Sequence, residues 1–391
     1  MREIKTVPHR LRDYSIILIS TIVLGIVAEG VTRVVIRFQS HSWPATQAAK
    51  FDTEIRGLIR LYRRHPFLNT APREGMRVTA FGKQVSFNSL GYRSPERPAD
   101  KPPGTMRILC AGGSTTFDIL SANDSQTWPW QMEQILRERG LDAEVFNAGF
   151  PGWTSLENLV SLAIRDLDLN PDIVVLYQGI NDLQPASHQP FDSQYEHGHA
   201  EEAVRALGFE LQPLKWYEHS LFVEKARELV VGKRDPWQRL QNLVPPEDAM
   251  LELPTEALET FDRNVRSFVA IAVAGGSKVV LVTQPLRVRS ESAEADRAYL
   301  AQWLLGLDPT AVPAQLERLN SVMRELTMAG PAVLADAAKG VAWKDSDFGD
   351  PMHFSARGST RMASFMADIV EGISDGSDGT EGGSRRESDG R

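Results

Sequence analysis

From Met106 onward, short apolar runs alternate with amphipathic helical stretches, and no other feature of the chain limits its fold so tightly. The runs are Ile108-Leu109-Cys110-Ala111, Val145-Phe146, Ile173-Val174-Val175-Leu176-Tyr177, Val279-Val280-Leu281-Val282-Thr283 and Ala332-Val333-Leu334-Ala335. The third and fourth are nearly continuous and rich in β-branched residues, as strands covered on both faces tend to be. Between the runs, Leu156, Leu159, Val160, Ala163 and Leu167 share one helical face, opened by a Thr154/Glu157 capping box. Leu258, Phe261, Val265, Phe268 and Ala272 share another, ended by Gly275-Gly276. Two further helices carry Leu316, Leu319, Met323 and Leu326, and then Met362, Phe365, Met366 and Ile369. Strand, helix, strand in this order predicts an α/β fold: a flavodoxin-like three-layer αβα sandwich on a central parallel sheet of about five strands.

The 391 residues leave room for appendages around such a domain. We expect an N-terminal anchor at 1–37, a linker with a short hairpin at 38–105, the α/β domain at 106–373 and a disordered tail at 374–391. Within the linker, Arg77–Ala80 and Gln84–Phe87 flank a glycine turn, and Ser94–Pro103 holds four prolines. The α/β pattern is interrupted by an insert at about 183–255, with Trp216, Tyr217 and Trp237 expected to form a small core of its own. Formal charge is −8, from 43 basic and 51 acidic residues without a long basic run, which argues against a nucleic-acid partner. The lone cysteine, Cys110, excludes an intramolecular disulfide and a cysteine-based zinc cage, and its place in a buried strand makes it an inert small hydrophobe.

Ile16 to Ala28 contains no charge, and Arg2, Lys5, Arg10 and Arg12 precede it. Extending the run from Tyr14 to Ile36 gives enough length to cross a bilayer but takes in Glu29 and Arg33, which can pair four apart on one helical face. The basic flank favours a cytoplasmic N-terminus, so the reading is an uncleaved single-pass anchor with the rest of the chain outside the cytoplasm. A cleaved signal peptide, ending at Ala28-Glu29-Gly30, and a buried soluble helix are the competing readings.

In an open α/β sheet, ligands gather at the carboxyl edge of the strands. Gly112-Gly113-Ser114-Thr115 follows the first run, Asn147-Ala148-Gly149-Phe150-Pro151-Gly152 the second and Gln178-Gly179-Ile180-Asn181-Asp182 the third. Asp350-Pro351-Met352-His353 precedes the last helix. A hydroxyl, glycine-freed amides, a carboxamide, a carboxylate and an imidazole thus converge on one edge, which are the parts of a serine acyl-transfer site. These four blocks, in this order, resemble the SGNH (GDSL-type) hydrolase family over roughly Met106 to Ile373. Gly113 departs from it, standing where the family's motif has aspartate. Asn88-Ser89-Leu90-Gly91-Tyr92-Arg93 also looks like a segment of membrane-anchored members, with no chemical role evident from sequence.

The expected roles follow from chemistry and resemblance together. Ser114 is the nucleophile, His353 the general base, and Asp350, three residues earlier, orients the imidazole. The resemblance implies an oxyanion hole made of the Ser114 and Gly152 backbone amides and the Asn181 side chain, while Asp182 ties loops together. No cofactor or metal is required; His188, His197 and His199, with Asp192 and Glu196, read as a solvated loop rather than a metal site. The expected substrate is an O-acetyl or short-chain acyl ester, on a cell-envelope or exported carbohydrate or a lipid. Two other readings stand beside the esterase: an O-acyltransferase using the same three residues, and a non-catalytic flavodoxin-like module binding carbohydrate or phosphate.

Overall fold

The computed structural model describes residues 9–40, 45–68, 70–195, 214–232, 249–287, 294–304 and 306–376. They fall into two compact units, Met1–Arg56 with Glu210–Leu240 and Gly57–Phe209 with Gln241–Arg391. His197, His199, Glu196, Trp237 and residues 377–391 of the expected tail lie outside the described residues.

In the larger unit, two short antiparallel pairs come first: β1 (Tyr62–Arg63) with β2 (Ala71–Pro72), and β3 (Arg77–Ala80) with β4 (Lys83–Ser86). The second pair is the expected hairpin, closed by Phe81-Gly82 with both residues at positive φ, the geometry that matches a two-residue loop to strand twist. The main sheet follows with β5 (Met106–Gly112), β6 (Ala143–Asn147), β7 (Ile173–Tyr177), β8 (Lys278–Val282) and β9 (Val333–Ala335). All neighbours are parallel and the order is β6-β5-β7-β8-β9, so the chain reverses its direction of travel between β5 and β7. Loops on either side of such a reversal part and leave a crevice at the carboxyl edge.

Alternation along the strands feeds two cores. Leu109, Ala111, Val174, Leu176, Val279 and Leu281 face one layer with the helices Ser155–Ile164, Thr255–Ala274 and Val312–Ala329. Ile108, Cys110, Val175, Tyr177, Val280 and Val282 face the other, under Trp128–Glu138 and Ala356–Ser374. Both capping expectations for Ser155–Ile164 hold: Thr154 caps it, and the Glu157 carboxylate accepts from the Thr154 N–H. Cys110 is fully buried, and burial pushes its thiol up, away from the reactive thiolate.

The stretch read as a linker is not free chain within this unit. Leu61, Tyr62, Leu68, Val78, Val85 and Phe87 form a third core with Phe117, Phe150 and Trp153 from the sheet-edge loops. Each fully buried large apolar side chain contributes about 1.5–3 kcal/mol against the ordering cost of the segment. The proline-rich stretch is pinned as well, since the buried Arg107 guanidinium donates to the carbonyls of Pro98, Ala99 and Asp100.

The smaller unit contains the helix His9–Ser40 and the insert helix Leu221–Val231. Asp13–Gln39 of the first helix is long and apolar enough to cross a membrane by length and composition, and none of that window is buried. A buried soluble helix is therefore not what this segment forms. Trp216 is 82% exposed, so it does not build the small insert core expected from sequence.

Candidate active site

The strand β5 ends at Gly112, and Ser114 opens a one-turn helix, Ser114–Phe117, immediately beyond it. The N–H groups at a helix start have no intrahelical acceptor, so this turn presents a hydroxyl and backbone donors at one point. The turn is braced from several sides. Trp128 Nε1 donates to the Thr115 carbonyl at 3.1 Å, and Lys83 Nζ from the hairpin donates to the Ile119 carbonyl at 2.9 Å. Arg93, fully buried, donates to the carbonyls of Phe117 (2.8 Å) and Asp118 (3.2 Å) and to Asp124 Oδ1 (2.8 Å). The segment 88–93, for which sequence suggested no role, therefore holds the loop behind Ser114. Its own shape comes from Asn88 Oδ1, which accepts from the N–H groups of Leu90 and Tyr92.

His353 comes from the loop before the last helix, 239 residues away in sequence, and its Nε2 lies 2.7 Å from Ser114 Oγ. Its Nδ1 lies 2.7 Å from Asp350 Oδ2. An ionised carboxylate only accepts, so Nδ1 carries the proton and Nε2 presents a lone pair to the Ser114 hydroxyl. Asp350 Oδ1 accepts from the backbone N–H groups of Met352 and His353, both at 2.9 Å, so the three-residue spacing folds the loop around its own carboxylate. Burial pushes the Asp350 carboxyl up, but hydrogen bonds and charge from His353, with the two backbone donors, outweigh it and hold the group below the ordinary carboxylate value.

A further contact had no sequence signal. Tyr299, on the helix Glu294–Trp303, donates its hydroxyl to Asp350 Oδ2 at 3.0 Å. That helix is itself tied down by Asp296, which pairs with Arg287 at 2.5 Å, while the Arg287 N–H donates to the Pro351 carbonyl.

Gly152 sits at φ +84°, a conformation only glycine adopts without strain, in the loop after β6. Asn181 follows β7 and donates from Nδ2 to the Trp153 carbonyl at 2.8 Å, which leaves its second amide hydrogen for a ligand. A Cβ on Gly113 would lie 2.3 Å from that Nδ2. Gly113 thus makes room for the Asn181 carboxamide beside the Ser114 turn, a physical reason for glycine at this position. The five expected residues, Ser114, Gly152, Asn181, Asp350 and His353, all lie on the loops at the carboxyl edge of the sheet.

Asp182 lies one residue further, buried and turned away from Ser114. It accepts from Ser155 N–H and Oγ, from Gln178 Nε2 at 2.8 Å and from the Tyr195 hydroxyl at 3.4 Å. Burial raises its carboxyl to about 6 despite these donors, and Glu157 adds to the rise. It joins the loops after β6 and β7, the tying role expected of it.

The model of the GDSL-like Lipase/Acylhydrolase family matches residues 110–361, well over half of the chain, and the chain belongs to this family. The protein is an ester-hydrolysing enzyme of that class, not a non-catalytic binding module. No curated protein sequence matches it. Among solved structures it is similar to the lipase/acylhydrolase from Enterococcus faecalis, with 17% identity, 68% of this chain and 96% of that one covered, and a TM-score of 0.41. A GDSL-like lipase from Bacteroides thetaiotaomicron gives 15%, 68%, 88% and 0.37 for the same quantities. An acetyl xylan esterase gives 15%, 68%, 100% and 0.40.

Proposed function

We propose that this protein is a membrane-anchored serine esterase acting through an acyl-enzyme. The observation that carries the reading is the continuous chain of short contacts from Ser114 Oγ through the His353 ring to Asp350. His353 Nε2 removes the Ser114 proton as Oγ attacks the ester carbonyl, and the same nitrogen then returns the proton to the departing alkoxide. Asp350 stays ionised and stabilises the imidazolium that forms between these two transfers. The negative charge on the tetrahedral intermediate falls to the Ser114 and Gly152 N–H groups and the remaining Asn181 amide hydrogen. Water, activated by His353, then releases the acid.

The substrate that suits this reading is a short acyl ester, O-acetyl above all, on a carbohydrate outside the cytoplasm. The location rests on the apolar window Asp13–Gln39 and the basic residues ahead of it. In this arrangement residues 1–37 anchor the chain and 106–373 are the catalytic domain.

A fluorophosphonate probe tests the nucleophile, with labelling expected for the wild type and none for Ser114→Ala. A folded wild type that takes up no label overturns the reading. Acetate release from acetylated sugars, measured against acyl transfer to an added unacylated sugar, separates hydrolysis from transfer. Extraction of membranes at alkaline pH tests the anchor: the chain stays with the pellet if residues 1–37 span the bilayer and leaves it if they are cleaved.

A further inference from the structure

Glu29 stands in the apolar helix at a position where a carboxylate is costly, and the structure gives it partners from a distant part of the chain. Arg33 Nε donates to it at 2.7 Å from one turn away. Three more donors come from the start of the insert helix Leu221–Val231: Ser220 Oγ at 2.7 Å, Leu221 N–H at 3.1 Å and Phe222 N–H at 2.9 Å. Arg33 Nη2 also donates to the His219 carbonyl at 2.8 Å. The N-terminus of the insert helix, which carries partial positive charge, is therefore seated on a carboxylate of the membrane-crossing helix.

The depth of that seat follows from helix geometry. Tyr14 to Ala28 is uncharged and spans about 22 Å at 1.5 Å per residue, whereas the hydrocarbon core of a bilayer is about 30 Å thick. With Asp13 at the inner boundary, Glu29 and Arg33 lie in the outer turns of the spanning segment, and the insert helix begins there. Phe222, Ala226, Leu229 and Val230, at spacings of four, seven and eight, form a stripe along it, with Val223 beside them. This stripe is exposed within the described residues: Leu229 is 89% and Val230 84% accessible, and Trp216 just ahead of the helix is 82% accessible. Glu228, paired with Lys225 at 2.7 Å, and Glu224 lie on the opposite side, and Arg227 sits about 160° round the helix from Leu229. Exposed apolar area of this kind, attached to a bilayer-crossing helix at the outer headgroup level and led by a tryptophan and a tyrosine, matches the interfacial environment.

We infer that the insert helix Leu221–Val231 lies in the outer interface of the membrane, with its Phe222/Ala226/Leu229/Val230 stripe in the acyl-chain boundary and its start locked to Glu29. The inference rests on the membrane-anchored reading above. It gives the chain a second point of attachment to lipid, formed by the segment that interrupts the α/β pattern.

The test uses the full chain reconstituted in phosphatidylcholine vesicles, with a nitroxide label at Leu229→Cys, Arg227→Cys or Ile19→Cys. The native Cys110 is fully buried, and the labelled wild type serves as the blank. Collision with oxygen, which concentrates in lipid, is compared with collision by a water-soluble nickel chelate. The expected result is an oxygen-to-nickel ratio several-fold higher at Leu229 than at Arg227. Equal ratios at the two sites place the stripe in water and overturn the inference. A Leu229 label shielded from both reagents means that protein covers the stripe, another segment or a second copy, and overturns it equally. The Ile19 label separates the two layers of the argument: if it is lipid-embedded while Leu229 is not, the anchor stands and only the insert's placement fails. If Ile19 also meets nickel, the anchor has failed and the insert's placement with it.

Discussion

Two loops at the carboxyl edge of one sheet each bury an aspartate, and they treat its proton in opposite ways. Asp350 faces an imidazole and two backbone N–H groups and is held below the ordinary carboxylate value. Asp182 faces hydroxyls, one carboxamide and one backbone N–H, with no cation in contact among the described residues, and burial lifts it to about 6. Neutral donors can satisfy the lone pairs of a buried carboxylate without fully offsetting the loss of water, whereas a partner able to carry positive charge tips the balance. The first arrangement suits a group that must remain an anion while a charge appears beside it. The second suits a fastener between loops.

Removing each charge in turn is the sharpest way to break this comparison. Asp350→Asn should lower kcat by roughly 10⁴, because the imidazole loses the acceptor that fixes its tautomer, while Asp182→Asn should cost less than about tenfold. Steady-state hydrolysis of a chromogenic acetate ester reads both, and similar losses at the two sites would erase the distinction. Next in size is Gly113→Ala, whose methyl group displaces the Asn181 carboxamide; kcat should fall by about 10²–10³ with little change in KM.

The comparison also has a sign in pH. The folded chain binds the Asp182 proton more tightly than the unfolded chain, so this group's contribution to stability falls as pH rises from about 4 through about 6. The full change is on the order of 3 kcal/mol. Urea midpoints of the wild type should therefore exceed those of Asp182→Asn at pH 5, with the gap narrowing toward pH 8. Asp350 behaves oppositely: its contribution is present above the ordinary carboxylate value and is lost as pH falls below it. The smallest effect is expected from Tyr299→Phe. Without that hydroxyl the Asp350 carboxylate loses a donor that holds Oδ2 in place for the imidazole, so kcat should fall by less than about tenfold while KM stays constant. An unchanged kcat would make Tyr299 a packing residue only.

How much of this could be read from sequence depends on whether the signal is local. β7 and β8 announce themselves as nearly continuous apolar runs rich in β-branched residues, and Ser114, Asn181 and His353 stand where a strand or loop delivers them to the sheet edge. The capping box of Thr154 and Glu157 is complete within four residues. By contrast, the Gly113–Asn181 contact joins two loops, and nothing in either motif measures the space between them. Tyr299 lies on an amphipathic helix where a tyrosine resembles any half-buried aromatic. Residues 57–105 look like linker because their apolar residues are scattered; their partners Phe117, Phe150 and Trp153 belong to later segments, so the third core exists only after the chain has folded back. Arg93 repeats the lesson with a charge: two of its acceptors are backbone carbonyls, which no sequence pattern marks.

The 239 residues separating the hydroxyl from its imidazole set a schedule as well as a shape. At typical rates of synthesis, a ribosome delivers Ser114 roughly tens of seconds before it finishes His353. On the proposed mechanism, the nascent polypeptide has a nucleophile with no base beside it until the final helix docks. Esters in its surroundings are safe from it for those seconds, and a product that terminates before His353 is born inert.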